Sequence, residues 1–562
     1  MTEARSSVVN VAARLSVTAR AMPECVAVVE PGQYDRQGKR QYRSLSFAQL
    51  EEDSHRIAAG LRRSGVGPGM RVALMVRPGI DFISLVFALF KAGAVIILID
   101  PGMGARRLLH CLAEAEPEGF IGIPLAQAVR WVFRRRFPKI RFLATVGRRW
   151  FWGGTTLQAL RRTPLSADIP VATAAEDPAA IIFTTGSTGP AKGVLYCHGN
   201  FDTQVDEIRD FYGIQPGEID LACFPLFGLF NCAMGVTAVI PDMNPSRPAQ
   251  ADPAKIVEAI HDWQATQAFG SPAIWARVGP YCQAHGIQLP TLRRVLSAGA
   301  PVPSTVLATM KKCIHPEGEV HTPYGATESL PVASASSSLV LGSTAAATAQ
   351  GAGVCVGHRF PRIEWKVIRE VDGPIASMAD AEPLPQGEIG ELIVRGPVVT
   401  RQYLTGREAN VLGKVRDGDT IWHRMGDVGY LDVEERFWFC GRLAHRVLTA
   451  QGPMYTICCE AIFNQHPQVA RSALVGVGVR GSQQPVIVLE PKDRTLLQSA
   501  AARTKLLEEA RQLGQASELT RPIEAILLHP AFPVDVRHNA KISREQLAAW
   551  AEAQMGPGNE RS

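Results

Sequence analysis

The sequence predicts an α/β protein with a large N-terminal domain and a small α+β domain at its C-terminus. The chain has 562 residues, too many for one hydrophobic core, so at least two domains are expected. Helix-like and strand-like segments alternate up to about residue 440, which is the order of mostly parallel sheets covered by helices. Short strands with turn signals between Gly387 and Gly441 predict a small β-barrel-like part at the end of the large domain.

The first elements show the βαβ order. Ser46 to Gly65 has the apolar spacing of an amphipathic helix, with Ser46 as its predicted N-cap. The apolar run 71–76 predicts a buried strand, 81–92 a helix and 94–99 the next strand. Ser334 to Gly353 is rich in Ser, Ala, Thr and Gly, which predicts a mobile loop.

The remaining elements define the domain boundary. Glu391 to Arg395 is predicted to be a strand, as is 473–479, and about 496–513 is predicted to be a helix. We therefore predict a large domain over residues 1–442 and a small one over 443–562, with the last eight residues frayed.

Composition and cysteine usage predict a cytoplasmic protein. Apolar residues make up 46% and charged residues 20% of the chain, as in ordinary soluble proteins. The 11 cysteines form no Cys-x-x-Cys pair and are scattered through apolar segments, which predicts buried thiols in a reducing compartment. The N-terminus lacks the apolar core of a signal peptide, and the run 92–99 is too short to span a bilayer.

The charge is unevenly distributed, although the net value is only +6. No acidic residue occurs between Phe120 and Ala167, where ten Lys and Arg residues are interleaved with aromatic residues, most densely over 130–152. This segment is either a solvated basic face with its aromatic rings in the core, or a docking surface for a partner protein, a membrane or a fatty substrate. No nucleic-acid recognition motif accompanies the charge, so we expect no nucleic acid as a partner.

The segment 184–193 reads Thr-Thr-Gly-Ser-Thr-Gly-Pro-Ala-Lys-Gly and follows the apolar run 180–183. Its hydroxyls, its glycine N–H groups and its single lysine suit a polyphosphate. It is not a Walker A loop, because Ala191 precedes the lysine and Gly193 follows it. The predicted phosphate-binding residues are Thr184, Thr185, Gly186, Ser187, Thr188, Gly189 and Lys192.

The order of residues in this loop resembles the phosphate loop of the adenylate-forming enzymes, which include acyl-CoA synthetases, luciferases and peptide-synthetase adenylation domains. Further segments match in the order of that family, from about residue 44 to residue 545. They are Lys91-Ala-Gly-Ala94 with Ile99-Asp-Pro101, Ser297–Pro301, Tyr324–Glu328, Gly387–Leu392, Gly426-Asp427, Gly441-Arg442 and Lys541-Ile542. The resemblance implies an enzyme that uses ATP and Mg²⁺ to adenylate a carboxylate, with a mobile C-terminal domain.

The resemblance also assigns roles that the chemistry of the residues supports. Tyr324 would stack on adenine, although core packing is the alternative, and Asp427 would accept from the ribose hydroxyls, although turn formation is the alternative. Glu328 is a hard oxygen ligand for Mg²⁺, and Thr184 is the second predicted metal ligand. The remaining nucleotide-binding residues are Gly299, Ala300, Pro301, Gly325, Thr327 and Arg442.

Lys541 is the predicted catalytic residue, together with Lys192, Thr327 and Glu328. Attack of a carboxylate on the α-phosphate brings two anions together, so a positioned cation stabilises the transition state. In the family the corresponding lysine belongs to the small domain, which closes over the site. The preceding Arg537-His-Asn-Ala540 departs from the usual Thr-x-x-Gly, and an ordinary exposed lysine is the alternative.

Several segments depart from the acyl-CoA synthetase pattern where a thiol would enter. Gly441-Arg-Leu-Ala-His445 replaces Gly-Arg-x-Lys-Asp, a glycine-rich segment becomes Leu448–Pro453, and Pro-x-Glu-Ile-Glu becomes Thr456-Ile-Cys-Cys-Glu460. Gly228 stands where many relatives have histidine. This combination resembles the olefin-biosynthesis β-lactone synthetases, which implies a long-chain 2-alkyl-3-hydroxy acid as the substrate. The first alternative is a long-chain acyl-CoA synthetase or acyl-AMP ligase. The second alternative is a non-catalytic scaffold that binds a nucleotide.

The acyl pocket is expected between about Phe224 and Ala333, with core packing as the alternative for each residue. Phe227, Gly228 and Phe230 are the predicted lining, and Gly228 would give room for a second alkyl chain. His445 and His538 are candidates for the base that closes the lactone. The resemblance implies a complex with an upstream reductase or a downstream β-lactone decarboxylase, for which 130–152 is a candidate docking site. Peripheral association with a membrane stays open.

Overall fold

The computed structural model describes residues 8–184, 191–224, 226–534 and 542–556. The chain divides into two compact units. Unit 1 comprises Met1–Val332, Phe360–Ile363 and Arg395–Lys414, and unit 2 comprises Ala333–Arg359, Glu364–Val394 and Val415–Ser562. These units are the parts of the chain that are compact by themselves. The predicted functional boundary between residues 442 and 443 is a separate matter and stays a prediction.

The strands of the described residues are, in chain order, β1 Val26–Tyr34, β2 Arg40–Ser46, β3 Arg71–Met75, β4 Val95–Leu98, β5 Gly119–Gly122, β6 Phe142–Thr145, β7 Thr155–Thr156, β8 Pro178–Phe183, β9 Gly193–Cys197, β10 Ile219–Ala222, β11 Thr237–Val239, β12 Gln267–Gly270, β13 Arg294–Ser297, β14 Glu319–Ala326, β15 Ser329–Ser336, β16 Val354–Cys355, β17 His358–Arg359, β18 Glu364–Ile368, β19 Gly390–Arg395, β20 Gln402–Tyr403, β21 Lys414–Asp417, β22 Thr420–Leu431, β23 Phe437–Arg442, β24 Val447–Thr449, β25 Gly452–Met454, β26 Val469–Val477, β27 Gln484–Pro491 and β28 Ala525–Leu528.

The α-helices are α1 Ala13–Ala21, α2 Phe47–Arg63, α3 Ile80–Lys91, α4 Ala105–Glu114, α5 Pro124–Val132, α6 Leu157–Arg161, α7 His198–Tyr212, α8 Phe227–Met234, α9 Pro253–Trp263, α10 Pro272–His285, α11 Ser304–Lys311, α12 Ser337–Leu339, α13 Ala345–Ala349, α14 Arg407–Gly413, α15 Thr456–Phe463, α16 Ala500–Gln515 and α17 Arg544–Met555.

Unit 1 is built on two mainly parallel sheets. Seven consecutive strands of one sheet have the order β14-β13-β12-β10-β11-β1-β2, and among them the pair β1–β2 is antiparallel and the other pairs are parallel. The other has the order β20-β9-β8-β4-β3-β5-β6-β7, in which β9 pairs antiparallel with both β8 and β20. These helix-covered parallel sheets confirm the predicted α/β class.

Helix α3 lies in the core of unit 1, because every residue of it except Asp81 is buried. A helix that is apolar all round is a core helix. Its last residue, Lys91, is fully buried and pairs with Glu51 at 2.8 Å and with the Ser54 hydroxyl at 2.8 Å. Lys91 therefore ties α3 to α2, which gives the Lys91-Ala-Gly-Ala94 signature a structural role.

The predicted elements of the first βαβ unit are confirmed to within two residues. Ser46 caps α2 through a capping box, in which its hydroxyl accepts from the Gln49 N–H at 3.3 Å and its own N–H donates to Gln49 Oε1 at 2.9 Å. The strands and helix predicted over 71–99 are β3, α3 and β4.

The loop predicted over Ser334 to Gly353 is wrong. Strand β15 extends to Ser336, and α12, a π-helical stretch Val340–Thr344 and α13 follow it. Ser336 caps this helical run, because its hydroxyl accepts from the Leu339 N–H at 3.2 Å. Alanine has a high helix propensity, and Gly351 and Gly353, both with positive φ, occur only after the helix ends.

Unit 2 has an antiparallel sheet in the order β16-β23-β22-β19-β18, with β21 beside β22. The hairpin β24–β25 follows, and then the three-stranded sheet β26-β27-β28 with α15, α16 and α17. The core of this last part includes Phe463, Leu474, Ile487 and Leu506, all fully buried. Helix α16 and strand β26 lie where the sequence predicted a helix and a strand.

All 11 cysteines are free, and nine of them are buried, as the sequence predicted. In the described parts of the chain, no helix is both long enough and apolar enough to cross a membrane.

Candidate active site

The two ends of the predicted phosphate loop are held together by the antiparallel strands β8 and β9. Phe183 pairs with Gly193 in register, the Thr184 N–H donates to the Lys192 carbonyl at 3.0 Å, and the Lys192 N–H donates to the Thr184 hydroxyl at 3.3 Å. Of the predicted phosphate ligands, Thr185, Gly186, Ser187, Thr188 and Gly189 lie outside the described residues. The structure therefore fixes the position of Thr184 and Lys192 as the two edges of this loop.

Tyr403 connects Lys192 with Glu328. Its hydroxyl donates to Glu328 Oε1 at 2.6 Å, and the Lys192 ammonium lies 5.3 Å from the centre of its ring. A cation at this distance from an aromatic face is attracted by the ring quadrupole. The predicted phosphate-binding lysine and the predicted metal ligand thus converge on one tyrosine side chain, which sequence reasoning did not select.

The backbone of Glu328 is held by Thr400. Its carbonyl accepts from the Thr400 N–H and from the Thr400 hydroxyl, both at 2.9 Å. Lys414 in turn donates to the Thr400 carbonyl and lies 5.6 Å from the centre of the Tyr403 ring. Burial lowers the pKa of Lys414 to about 7, and the Glu328 charge partly opposes this shift. A signal for Lys414 was present in the sequence, namely a lysine flanked by the apolar Val411-Leu412 and Val415.

The backbone of Thr327 is held by Tyr196. The Tyr196 hydroxyl donates to the Thr327 carbonyl, and its ring is buried and stacked on Phe201 at 5.0 Å. Burial and the nearby Glu328 charge raise the pKa of Tyr196, so the hydroxyl stays a donor at neutral pH. Thr327 and Glu328 therefore lie in a turn that is fixed on both sides.

The predicted adenine slot lies at the carboxyl edge of the first sheet of unit 1. Gly299, Ala300 and Pro301 follow the end of β13, and Tyr324 lies near the end of the parallel neighbour β14. Ligands bind at this edge of open α/β sheets. Gly325 allows close approach of the β14 and β15 backbones, because a Cβ there would lie 2.7 Å from the Ser329 carbonyl oxygen.

Asp427 and Arg442 form a pair in unit 2. They lie opposite each other on β22 and β23, and Arg442 Nη1 is 3.0 Å from Asp427 Oδ1. The same nitrogen donates to the Met425 carbonyl at 2.9 Å, while Asp427 is buried. Gly426 precedes Asp427 and Gly441 precedes Arg442. Both glycines have positive φ, a backbone conformation that favours glycine.

Among the candidate bases and catalytic residues, Lys541 and His538 lie outside the described residues. His445 is half-buried, 3.4 Å from the Glu545 carboxylate. Burial and the Arg544 charge lower the pKa of His445 to about 4, so the imidazole is neutral but weakly basic at neutral pH.

The predicted acyl-pocket residues lie on α8 and are buried. Phe227 stacks on Phe269 with ring centres 3.9 Å apart, and Phe230 lies 6.0 Å from Phe227. A Cβ on Gly228 would lie 2.9 Å from Ile83 Cδ1, so the space left by this glycine is filled by α3. This packing gives no support to the expectation that Gly228 makes room for an alkyl chain.

The donor set around Glu328 fits Mg²⁺ bound to a polyphosphate. Mg²⁺ usually takes one or two carboxylates and completes its shell with phosphate oxygens and water. Glu328 supplies one carboxylate, while Thr184 and Lys192, at the two edges of the predicted phosphate loop, offer a hydroxyl and a cation suited to the phosphate. Among the described residues there is no cluster of three or more His, Cys, Asp or Glu side chains that could hold a metal without a phosphate.

The fold and this cluster define an ATP-dependent enzyme that adenylates carboxylates. The profile of the AMP-binding enzyme family matches residues 15–404, and the chain belongs to this family. It is 47% identical to an olefin β-lactone synthetase of Stenotrophomonas maltophilia, over 97% of this chain and 98% of that protein. It is 46% identical, over the same shares, to an olefin β-lactone synthetase of Xanthomonas campestris. A feruloyl-CoA synthase of Amycolatopsis is 28% identical over 77% of this chain and 81% of its own length.

Solved structures share the fold at low sequence identity. The amide bond synthetase McbA from Marinactinospora thermotolerans has a TM-score of 0.76 at 20% identity, covering 96% of this chain and 99% of its own. ATP-bound MatB from Rhodopseudomonas palustris has a TM-score of 0.76 at 20% identity, covering 97% and 99%.

Proposed function

We propose that this enzyme is an ATP-dependent olefin β-lactone synthetase. It adenylates a long-chain 2-alkyl-3-hydroxyalkanoic acid and then closes the 3-hydroxyl onto the acyl carbon, in long-chain olefin biosynthesis. The observation that carries the proposal is the identity of 46–47% over 97% of the chain with two relatives of that name. The CoA-ligating relatives are more distant, at 28% for the feruloyl-CoA synthase.

The first half-reaction forms the acyl adenylate. A substrate carboxylate oxygen attacks the α-phosphorus of ATP, the bond to the bridging oxygen breaks, and pyrophosphate leaves. Lys192, Thr327 and Lys541 would neutralise the charge that builds up on the phosphates. Mg²⁺, held by Glu328 and Thr184, would supply further positive charge to the phosphate oxygens. Tyr324 with Gly299–Pro301 would hold adenine, and Asp427 with Arg442 the ribose.

The second half-reaction forms the lactone without an external thiol. The 3-hydroxyl gives its proton to a base, for which His445 and His538 are the candidates, as its oxygen bonds to the acyl carbon; the bond from that carbon to the phosphate oxygen breaks, and AMP leaves. The nucleophile is tethered to the electrophile, so little entropy of approach remains to be lost. The product is a cis or trans β-lactone.

The segments that replace the thiol-binding motifs support this second step. Residues 447–454 form the hairpin β24–β25, and 456–463 form the buried helix α15. Glu460, in the altered motif, is buried and accepts from the Leu474 N–H at 2.8 Å and from Arg544 Nη2 at 2.9 Å. This retained glutamate is a structural residue of the C-terminal part, so support for the second step comes from the replaced positions, where Leu448–Pro453 puts larger side chains in place of a glycine-rich segment.

The test is incubation with ATP, Mg²⁺ and a synthetic 2-alkyl-3-hydroxy acid, with and without CoA. We expect equal amounts of AMP and β-lactone in both, with no thioester. A thioester that requires CoA would identify an acyl-CoA synthetase, and a stable acyl-AMP would identify an acyl-AMP ligase. Absence of substrate-dependent pyrophosphate release would indicate that the protein is a nucleotide-binding scaffold without catalysis.

The catalytic assignment has its own control. Lys541→Ala should lose adenylation, measured as pyrophosphate release, while Lys505→Ala, an exposed lysine on α16, should keep the wild-type rate. A full rate for Lys541→Ala would remove Lys541 from the mechanism without affecting the lactone proposal.

We also propose that the enzyme works in the cytoplasm with the reductase and the β-lactone decarboxylase of the same route. A strained lactone is reactive towards water, so direct transfer to the next enzyme protects it. Co-purification of the three proteins from one host tests this association.

A further inference from the structure

Helix α5 has buried polar side chains and exposed apolar side chains, the reverse of an ordinary surface helix. Its polar residues Gln127 and Arg130 are buried: Gln127 Nε2 donates to the Ala144 carbonyl at 2.8 Å, and Arg130 Nε donates to Gln127 Oε1 at 3.0 Å. Leu125, Val129 and Val132, spaced at i, i+4 and i+7, are 69%, 37% and 64% exposed. An apolar stripe on a soluble helix normally faces the core, so this outward stripe requires another explanation.

The loop after β6 extends the apolar surface. Trp150 and Phe151 are 55% and 69% exposed, and the Phe151 ring meets Trp131 of α5 in an edge-to-face contact with centres 5.0 Å apart. The segments 125–136 and 147–151 therefore form one surface, called here the aromatic–arginine patch. The expectation that the aromatic rings of this region lie in the core holds for Phe137, Phe142 and Trp152 but is wrong for the four exposed rings Trp131, Phe133, Trp150 and Phe151.

The charge of the patch has one sign. Arg134, Arg135, Arg136, Arg148 and Arg149 are exposed, and no acidic partner is found for them in the described residues. The basic residues next along the chain differ, since Lys139 pairs with Glu116 and Arg141 with Glu118, both at 2.9 Å. Arg134 lies 5.1 Å from the Trp131 ring centre, and Arg136 lies 5.8 Å from that of Phe133. Guanidinium groups and aromatic faces thus share the same surface.

We propose that the aromatic–arginine patch binds the surface of an anionic lipid bilayer. Tryptophan and phenylalanine partition to the headgroup boundary, aliphatic side chains enter the acyl region, and arginines contact lipid phosphates. A protein partner would also favour aromatic residues and arginine. It would have to supply a continuous acidic surface opposite these five arginines, however, whereas an anionic membrane has one everywhere. The inference stands on the patch alone and does not depend on the proposed function.

The experiment is co-sedimentation of the full-length protein with phosphatidylcholine vesicles, with and without phosphatidylglycerol, at low and high salt. The charge variant is Arg134→Gln/Arg135→Gln/Arg136→Gln, and the apolar variant is Trp150→Ser/Phe151→Ser. The matched control is Arg20→Gln/Arg247→Gln/Arg293→Gln, which removes three exposed arginines from unit 1 outside the patch. Thermal unfolding of each variant shows whether it is folded.

We expect wild type and the control variant to bind only the anionic vesicles, more weakly at high salt. The charge variant should bind roughly a hundredfold more weakly, from about one kilocalorie per mole for each basic residue near an anionic surface, and the apolar variant should also lose binding. No binding by wild type, or equal losses in the patch and control variants, would overturn the proposal. Capture of a soluble protein that depends on the patch, without vesicle binding, would assign the surface to that protein instead.

Discussion

At the scale of single residues, Glu328 is held by both its carboxylate and its backbone. Tyr403 donates to the carboxylate, and Thr400 donates twice to the carbonyl. Lys414 fixes Thr400 in turn. A carboxylate that binds a metal works best when its rotamer is already set before the metal arrives.

Tyr403→Phe removes this hydroxyl and keeps the ring that both Lys192 and Lys414 approach. A hydrogen bond to a charged group contributes about 1.5–3 kcal/mol, so the concentration of Mg²⁺ needed for half-maximal pyrophosphate release should rise by about tenfold or more. Saturating Mg²⁺ should restore most of the rate, because the change affects how Glu328 is positioned.

The matched control for this prediction is Tyr281→Phe on α10, where the ring packs on His285 far along the chain from Glu328. It should leave the Mg²⁺ requirement unchanged. An unchanged requirement in Tyr403→Phe, with normal thermal unfolding, would show that the 2.6 Å contact has no influence on metal binding.

The residues found from the sequence differ in kind from those that were missed. Lys192, Glu328, Asp427 and Arg442 stand in short motifs whose chemistry can be read from the order of residues. Tyr403 belongs to β20, which pairs antiparallel with β9, and its hydroxyl donates to Glu328, whereas Lys414 is buried and acts through its hydrogen bond to the Thr400 carbonyl. Pairing partners across a sheet are not visible in one sequence without contact information, so the contact of Tyr403 with Glu328 could not be predicted.

At the scale of elements, a buried carboxyl group on β10 is hydrogen-bonded to a side chain of α8. Asp220 is fully buried on β10, and its Oδ2 accepts from Asn231 of α8 at 2.6 Å. Burial raises the pKa of Asp220 to about 7. The contact joins the helix that carries the predicted acyl-pocket residues to the sheet below it.

This burial predicts a pH-dependent stability. The folded pKa of Asp220 lies above the unfolded value near 4, so its contribution is fully present below pH 4 and is lost as the pH rises through 7. Asp220→Asn should therefore be more stable than wild type above pH 7, by at most about 4 kcal/mol, because one pKa unit corresponds to about 1.4 kcal/mol.

The difference should shrink steadily as the pH falls from 7 towards 4, measured as the free energy of unfolding in denaturant. Asp419→Asn, an exposed turn residue, is the control and should follow the wild-type profile. A constant difference between Asp220→Asn and wild type at all pH values would contradict the assignment.

The close contact of α8 with α3 predicts the effect of a larger side chain at Gly228. Gly228→Leu must displace Ile83, and overpacking of this kind costs about 1–3 kcal/mol of stability. Gly342→Leu is the matched control, since no atom lies within 4 Å of a Cβ built there. Equal thermal midpoints for the two variants would mean that α3 and α8 can separate to admit the side chain.

Most elements of unit 1 could be predicted, because their apolar periodicity and their caps agree with the final fold. The region after Ser334 could not, because Ser, Ala and Thr are compatible with both loop and helix. The Ser336 cap and the packing of Thr344, which is buried, decide in favour of helix. Neither the cap nor the packing can be deduced from composition alone.

At the scale of the whole molecule, the distribution of thiols predicts a simple chemical behaviour. Nine of the 11 cysteines are buried, Cys197 is partly buried and Cys25 is exposed. Burial raises the pKa of Cys223 and Cys232, which further slows their reaction with a thiol reagent.

A thiol titration of the native protein should therefore show one fast group, and complete denaturation should release 11. Cys25→Ser should abolish the fast phase and leave ATP-dependent activity unchanged. Several fast groups in the native protein would mean that the buried cysteines become accessible through local opening.

The position of the tryptophans gives the molecule an intrinsic optical reporter. Of the nine indoles, only Trp131 and Trp150 are exposed, and both lie on the aromatic–arginine patch. Their emission is the part of the spectrum that a soluble quencher such as iodide can reach, while buried rings such as Trp275 and Trp422 stay protected. Any surface that covers the patch should therefore shift the native emission to shorter wavelength and remove the quenching, without a label or a substitution.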